Sequence, residues 1–505
     1  MQSKKKIILI ITVLFTSVVI GSFGLIIASR PVAILAALLV PCTILCYLFP
    51  RWGLLAFLVY LPLGGTITYA IAEVLPAFGR GVIFICSYSL LHLAKDAFYL
   101  PALISILISY KVWQKKPLKF QPFIIVIACF AFSCLLTFFC VNLPLDFANS
   151  TDKVALMGLV GLKVWLGYIP LIFCAYYCFN NQKRLLLFNR VLLLMILVAC
   201  SLCLIQYLLL VNGICPGSTD LPPPSNTSAS LRAQCFVGGS VLFNPGRNLI
   251  RLPGTFVAPW QWAWFLIASS CISYGVSLSE PSRLWKDIAI ATIIAVLIAT
   301  VISGQRTALF LVPIIYLTLF LATQKRNKNL LIKLGIIFIV TIIITTQISL
   351  VDERIANFIQ RWQYAPPQEF IAGQIRWITN NHLTLLGQGL GKTASAARRL
   401  GSIRLVETFP AQMLYEIGIL GYFAFLSLVT TLTILTFKAY RSLKTPGLRG
   451  LGLCLWVFIL LISYNPYYYP LAVDPVAVYY WFIAGMLLKL PVLEKENVSI
   501  PLEKS

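Results

Sequence analysis

At near-regular intervals this chain is solidly apolar for about twenty residues, the length needed to cross the hydrocarbon core of a bilayer as a helix. Such runs fall near 7–28, 31–49, 53–72, 81–110, 121–141, 157–179, 188–211, 255–278, 287–303, 307–323, 330–350, 409–437, 450–465 and 474–490. Hydrophobic residues make up 59% of the chain and charged residues only 11%, against about 25% charged in an average soluble protein. A β-barrel would alternate apolar and polar positions, and these runs do not. The expected fold is therefore an all-α polytopic membrane protein of about 12–14 transmembrane helices. The 81–110 run is too long for a perpendicular span and is interrupted by His92, Lys95 and Asp96. It is expected to tilt, kink or lie partly at the interface.

The formal charge of +24 follows from where the basic residues sit. With Lys4, Lys5 and Lys6 placed in the cytoplasm, every short basic loop falls on that same side: Arg51, Lys111–Lys119, Lys183 and Arg184, Arg283 and Lys286, Lys325–Lys328, and Lys438–Arg449. That is the distribution that the positive-inside rule requires. The first run has no small-residue cleavage site behind it and reads as a retained span rather than a signal peptide. Both termini are then cytoplasmic. Two long segments remain for the opposite side, about 212–252 and 351–408. The first begins polar and irregular around Leu221-Pro222-Pro223-Pro224-Ser225. It contains Cys215 and Cys235, which are either disulfide-bonded or two free thiols; most of the 14 cysteines lie instead within the apolar runs.

The second segment is the longest polar interval. It carries Arg354, Arg361, Arg376, Lys392, Arg398, Arg399 and Arg404 against Asp352, Glu353, Glu369 and Glu407. Outer loops usually avoid clustered positive charge, so a basic surface there calls for an anionic ligand, such as a lipid-linked diphosphate. Nucleic acid is a poor explanation, because no basic stretch forms a soluble domain. Within the segment, Ile355, Phe358, Ile359 and Trp362 at helical spacing predict a surface-lying amphipathic helix over Asp352–Tyr364. The organisation expected is 1–250, N-terminal helices and the first outer loop; 251–437, a core that includes the outer loop 351–408, with its short helices; 438–490, C-terminal helices; and 491–505, a cytoplasmic tail.

Four motifs carry possible chemistry. Arg251-Leu252-Pro253-Gly254-Thr255-Phe256, followed by Pro259, opens a span. Arg251 either snorkels at a helix end or helps a broken helix present its N–H groups to an anion. Ser303-Gly304-Gln305-Arg306 joins two spans with almost no loop. Arg306 there is either a structural ion-pair partner or a planar fork of donors for phosphate oxygens. Gly387-Gln388-Gly389-Leu390-Gly391-Lys392-Thr393 imitates a phosphate-binding P-loop but has Leu386 where the first glycine is required. A tight turn packed on the membrane is the better expectation for it. Glu416-Ile417-Gly418-Ile419-Leu420-Gly421 puts a carboxylate inside a span, a functional-site hypothesis by default, whose structural alternative is to hold an arginine of the preceding loop. Gly418 and Gly421 are expected to allow close helix packing.

In this order, and over about residues 250–425, the motifs resemble the O-antigen ligase and Wzy-type polymerase superfamily of bacterial membrane proteins. The resemblance implies a glycosyl transfer, inverting and independent of metal or cofactor, at the outer face of the bacterial inner membrane. The donor would be a polyprenyl-diphosphate-linked oligosaccharide, and the acceptor a glycan, lipid or protein. A chain-length regulator is an implied partner. Arg251, Arg306, Arg376 and Arg404 would contact the diphosphate, with Arg306 also assisting catalysis and Glu416 in support. Where the family has a His-Asn pair about nine residues before the Glu, this chain has Glu407-Thr408, and the nearby histidine is His382. Glu407 or His382 would be the general base, or Glu407 would pair with Arg404. The rival expectations are a transporter or flippase for a lipid-linked glycan, and a non-catalytic scaffold of polysaccharide biosynthesis.

Overall fold

A computed structural model describes residues 30–74, 82–108, 121–148, 152–215, 234–235, 237–244, 249–323, 356, 359–360, 362–363, 366–394, 397–398 and 400–498. The runs expected at 7–28 and 330–350, and the tail after residue 498, lie outside these residues. So does most of the amphipathic helix expected over 352–364; its described positions, Ala356, Ile359, Gln360, Trp362 and Gln363, are helical and exposed.

The fold is predominantly helical. Its helices are α1 (Arg30–Leu48), α2 (Pro50–Val74), α3 (Val82–Ile108), α4 (Gln121–Thr137), α5 (Leu143–Ala148), α6 (Val154–Leu166), α7 (Leu171–Cys178), α8 (Gln182–Val211), α9 (Pro259–Ser279), α10 (Arg283–Ser303), α11 (Arg306–Thr323), α12 (Pro367–Asn381), α13 (Phe409–Ser442), α14 (Pro446–Ser463) and α15 (Val476–Val498). A π-turn, Phe138–Asn142, joins α4 to α5. Among the described residues, nine helical stretches are long and apolar enough to cross a membrane. They begin with Pro122–Phe147 and end with Val476–Glu496. By length and composition this is a polytopic membrane protein.

The chain divides into two compact units. The first comprises residues up to Lys116, Leu185–Ser269 and Ala291–Pro313; the second comprises Pro117–Arg184, Ser270–Ile290 and Ile314 onward.

In the first unit α1, α2 and α3 pack on one another. The segment after α8 forms two short antiparallel hairpins: β1 (Gln234–Cys235) with β2 (Gly238–Ser240), and β3 (Leu242–Asn244) with β4 (Leu249–Arg251). A disulfide joins Cys215 to Cys235, with Cα atoms 5.4 Å apart. Around it Leu210, Val241, Phe243 and Leu252 form a small buried cluster. The irregular stretch expected around Leu221–Ser225 lies outside the described residues; the hairpins follow it. Strands of two or three residues are too short to leave a period-two signal.

In the second unit α4 packs along α13, α7 along α15, and α13, α14 and α15 against one another. The apolar run at 157–179 is bent: α6 ends at Leu166, turns through Gly167–Pro170, and resumes as α7. The central break is in α13. Gly418 has φ 66° and ψ −166° inside an otherwise helical stretch, a backbone conformation that essentially only glycine adopts.

Candidate functional site

The break in α13 frees backbone groups that a buried helix must satisfy elsewhere. The 384–389 segment satisfies them. Ile419 and Leu420 donate their N–H groups to the carbonyls of Thr384 and Leu385, both at 3.2 Å, while Gln388 and Gly389 donate to the carbonyls of Tyr415 (2.7 Å) and Glu416 (3.3 Å). Gly418 and Gly421 were expected to bring helices together. Gly418 instead admits this docked segment, since a Cβ there would overlap the Gly387 nitrogen and the Leu385 carbonyl. A Cβ on Gly421 would overlap the Ile417 side chain across the break at Gly418.

The rest of the glycine-rich segment is held by buried polar side chains. Asn142, placed by the π-turn, accepts from the Leu390 N–H (2.9 Å) and donates to the carbonyls of Leu390 (3.0 Å) and Val154 (3.3 Å). Thr137 donates to the Leu386 carbonyl at 2.9 Å. Gly391 lies so close to α6 that a Cβ would overlap the Met157 carbonyl. The segment is thus wedged among α4, α6 and α13.

Glu416 is 1% exposed. One carboxylate oxygen accepts from the Thr393 N–H (2.8 Å) and hydroxyl (2.6 Å); the other accepts from the Trp165 indole N–H (2.8 Å). Gln412 donates in turn to the Thr393 hydroxyl at 2.8 Å. The structural alternative to catalysis, holding an arginine, is replaced by holding Thr393 and Trp165. The carboxylate is desolvated, and three good donors offset that cost.

Helix α12 and the loop from Arg404 to Val406 border an open cleft of about 400 Å³, lined by Gly373, Gln374, Trp377, Arg404, Leu405 and Val406. The Arg404 guanidinium lies over the Trp377 ring, 5.6 Å from its centroid, and hydrogen-bonds the Tyr415 side chain. Trp377 also stacks on Tyr415 (5.9 Å) and meets His382 (4.5 Å). His382 is therefore half-buried among rings. Gln374 uses one oxygen, Oε1, to accept from the Glu407 N–H (2.9 Å), the Thr408 N–H (3.0 Å) and the Thr408 hydroxyl (3.1 Å). The backbone of Glu407 is thereby tied to a residue that lines the cleft.

The segment between α14 and α15 comes to the same place. Phe409 donates its N–H to the Pro466 carbonyl (3.1 Å), and Thr408 bridges Tyr467 and Tyr468. Burial, with the Glu407 carboxylate adding to it, pushes the Tyr469 phenol up to about 12. Arg376 is on α12, exposed, its Nε near the Ala372 carbonyl of its own helix (3.4 Å). The second unit thus gathers His382, Arg404, Glu407 and Glu416 around α12 and the start of α13, with Arg376 on the exposed face of α12.

Arg251 and Arg306 belong to the first unit. Arg251 closes β4, opposite Leu242. The next residue, Leu252, donates its N–H to the Ser303 carbonyl at 3.0 Å, which sets the strand end against the Ser303–Arg306 turn. Gly304 makes that turn with φ 63°, and both arginines are half-buried. In the same unit Gln206, Thr255, Trp262 and Gln305 bury polar atoms that have no hydrogen-bond partner among the described residues.

Sequence reasoning missed Asn142, Trp165, Gln374, Gln206 and Trp262, and gave no role to Thr255, Gln305 and Thr393 although they lie within its motifs. Asn142 did carry a signal, as a lone amide in an apolar run, but its partner is 248 residues away. Among the described residues no cluster of His, Cys, Asp and Glu is arranged to hold a metal ion. No family model matches the chain, and no curated protein is similar to it at a significant level.

Proposed function

We propose that this protein is a membrane glycan polymerase or ligase of the O-antigen ligase type. It would transfer saccharide from a polyprenyl-diphosphate-linked donor to a hydroxyl of a glycan, lipid or protein acceptor. The setting proposed is the outer face of a bacterial inner membrane, with both termini cytoplasmic. The observation that carries the reading is the α12 cleft, where a ring-held arginine, an amide and the backbone of a carboxylate residue meet.

The acceptor hydroxyl attacks the anomeric carbon and the C–O bond to the diphosphate breaks. The electron pair leaves on the polyprenyl diphosphate, and the hydroxyl proton passes to the Glu407 carboxylate. Preorganised cations stabilise the charge that develops on the leaving group. Arg376, exposed on α12, is assigned that role in the second unit, while Arg251 and Arg306, in the first unit, are proposed as a separate phosphate-binding pair. Glu407 is preferred to His382 as base because the His382 ring is packed against Trp377 and Tyr415. Glu416 is a positioning residue for the glycine-rich segment.

Deleting the gene in its host and profiling surface polysaccharide by size tests the proposal. Loss of long chains with single repeat units remaining marks a polymerase; long polymer retained on its carrier marks a ligase. Complementation with Glu407→Gln should lower transfer by about 10²–10⁴-fold, the usual span of a general-base contribution. A normal profile from both Glu407→Gln and Arg306→Ala would sink the catalytic reading. One observation favours a second reading, transport of a lipid-linked glycan. Discontinuous helices with docked irregular backbone are how transporters build substrate sites, and α13 with 384–393 has that form. Transport predicts lipid-linked glycan stranded on the cytoplasmic side of the deletion strain.

A further inference from the structure

The α12 cleft presents donors and no side-chain acceptor. The orientation of the Gln374 amide is set by its partners. Two backbone N–H groups, of Glu407 and Thr408, point at one atom of it, and an NH₂ group cannot accept them, so that atom is the oxygen. The Thr408 hydroxyl adds a third contact to the same oxygen, which leaves Nε2 as the group offered to the cleft. Arg404, the other polar side chain of the lining, can only donate. Its guanidinium lies 5.6 Å from the Trp377 ring centroid and interacts with the Tyr415 side chain. The guanidinium's fork of donors matches the oxygens of a carboxylate or phosphate. Leu405 and Val406 complete the lining with apolar surface.

We infer that the cleft binds a saccharide through an oxyanion that the glycan carries, a sugar carboxylate or a phosphate, received by Arg404 and the Gln374 Nε2. The inference rests on the glycan-transfer reading for its ligand class. It adds to that reading that the recognised sugar unit is acidic and that Gln374 is a specificity residue. A neutral sugar offers hydroxyl oxygens to the same donors but no charge to Arg404, so it should bind more weakly.

Gly373 allows a clean test, because a Cβ there meets no atom within 4 Å. Gly373→Leu should fill the cleft without disturbing the core. Gln374→Glu keeps an oxygen for the three donors of Glu407 and Thr408 while turning the free donor into a negative acceptor. The full-length protein in lipid nanodiscs would be titrated with a glucuronic-acid disaccharide, its neutral glucose counterpart, and methyl diphosphate. The wild type should bind the acidic disaccharide at least tenfold more tightly than the neutral one, and each variant should lose at least tenfold. Tight binding of the disaccharide places the oxyanion on the sugar; tight binding of methyl diphosphate alone would make the cleft a site for the donor's linkage and overturn the acidic-sugar inference. Equal affinity for acidic and neutral probes, or unchanged affinity in both variants, overturns the inference. Glycan transfer is scored separately by the polysaccharide profile. A normal profile in the deletion strain alongside variant-sensitive acid binding would defeat the proposed function and leave the cleft standing.

Discussion

Two irregular segments are held by opposite means. The 212–252 segment of the first unit carries its own restraint, with the Cys215–Cys235 bond and two hairpins that pair backbone with backbone. The 384–393 segment of the second unit has no disulfide and no strand ladder. It borrows the hydrogen-bonding groups of a broken helix, the Asn142 amide and one oxygen of a buried carboxylate. A segment of the first kind is stabilised largely by a limit on the unfolded chain. One of the second kind is stabilised only while α13 stays broken at Gly418, so its order and the helix's geometry are one cooperative property.

The largest effect should come from closing that break. Gly418→Ala puts a Cβ on a residue at φ 66° and against the backbone of Gly387 and Leu385. Strain at such a position costs about 1–3 kcal/mol, and backbone overlap adds about 1–3 kcal/mol more. Thermal unfolding in detergent should show a large drop, with protease cleavage appearing between α12 and α13. Wild-type melting and protease resistance would mean that the segment does not depend on the break. Next in size is removal of the disulfide. Cys215→Ser with Cys235→Ser opens a loop spanning 20 residues and should cost about 3 kcal/mol. Cleavage should then appear in 212–252 and not in 384–393; cleavage of both would erase the contrast.

The helices were legible because an apolar run of sufficient length has few alternatives in a membrane protein. The run read at 307–323 is the helix Arg306–Thr323, and the run at 287–303 is Arg283–Ser303. The site was legible only in part. Glu416 stood out as a carboxylate in an apolar run, but its partners Trp165 and Thr393 are 251 and 23 residues away, and nothing local names them. Gly418 looked like a packing glycine because positive φ is imposed by the segment docked on it, which sequence spacing does not encode. Gln374 is one amide on an exposed polar helix, and its meaning comes from three donors more than 30 residues further along.

The smallest effect concerns Lys392, inside the borrowed segment. Burial lowers its pKa from the usual lysine value, with Asp152 opposing. The folded state therefore disfavours the charged form relative to the unfolded chain. At neutral pH the lysine is charged in both states and the penalty is fully present. As pH rises through the lowered folded value the penalty lifts, and it is gone once the unfolded lysine also loses its proton near 10.5. Lys392→Met removes the charge and keeps most of the length. It should melt slightly higher than wild type at pH 7, with the difference shrinking toward pH 10. Lys392 and the Cys215–Cys235 segment belong to different units, so the protease susceptibility of that segment should not respond to this substitution. A Lys392→Met protein that melts lower than wild type at pH 7 would mean that the ammonium contributes a favourable contact, with Asp152 the nearest candidate, and that the glycine-rich segment is held by charge as well as by the break in α13.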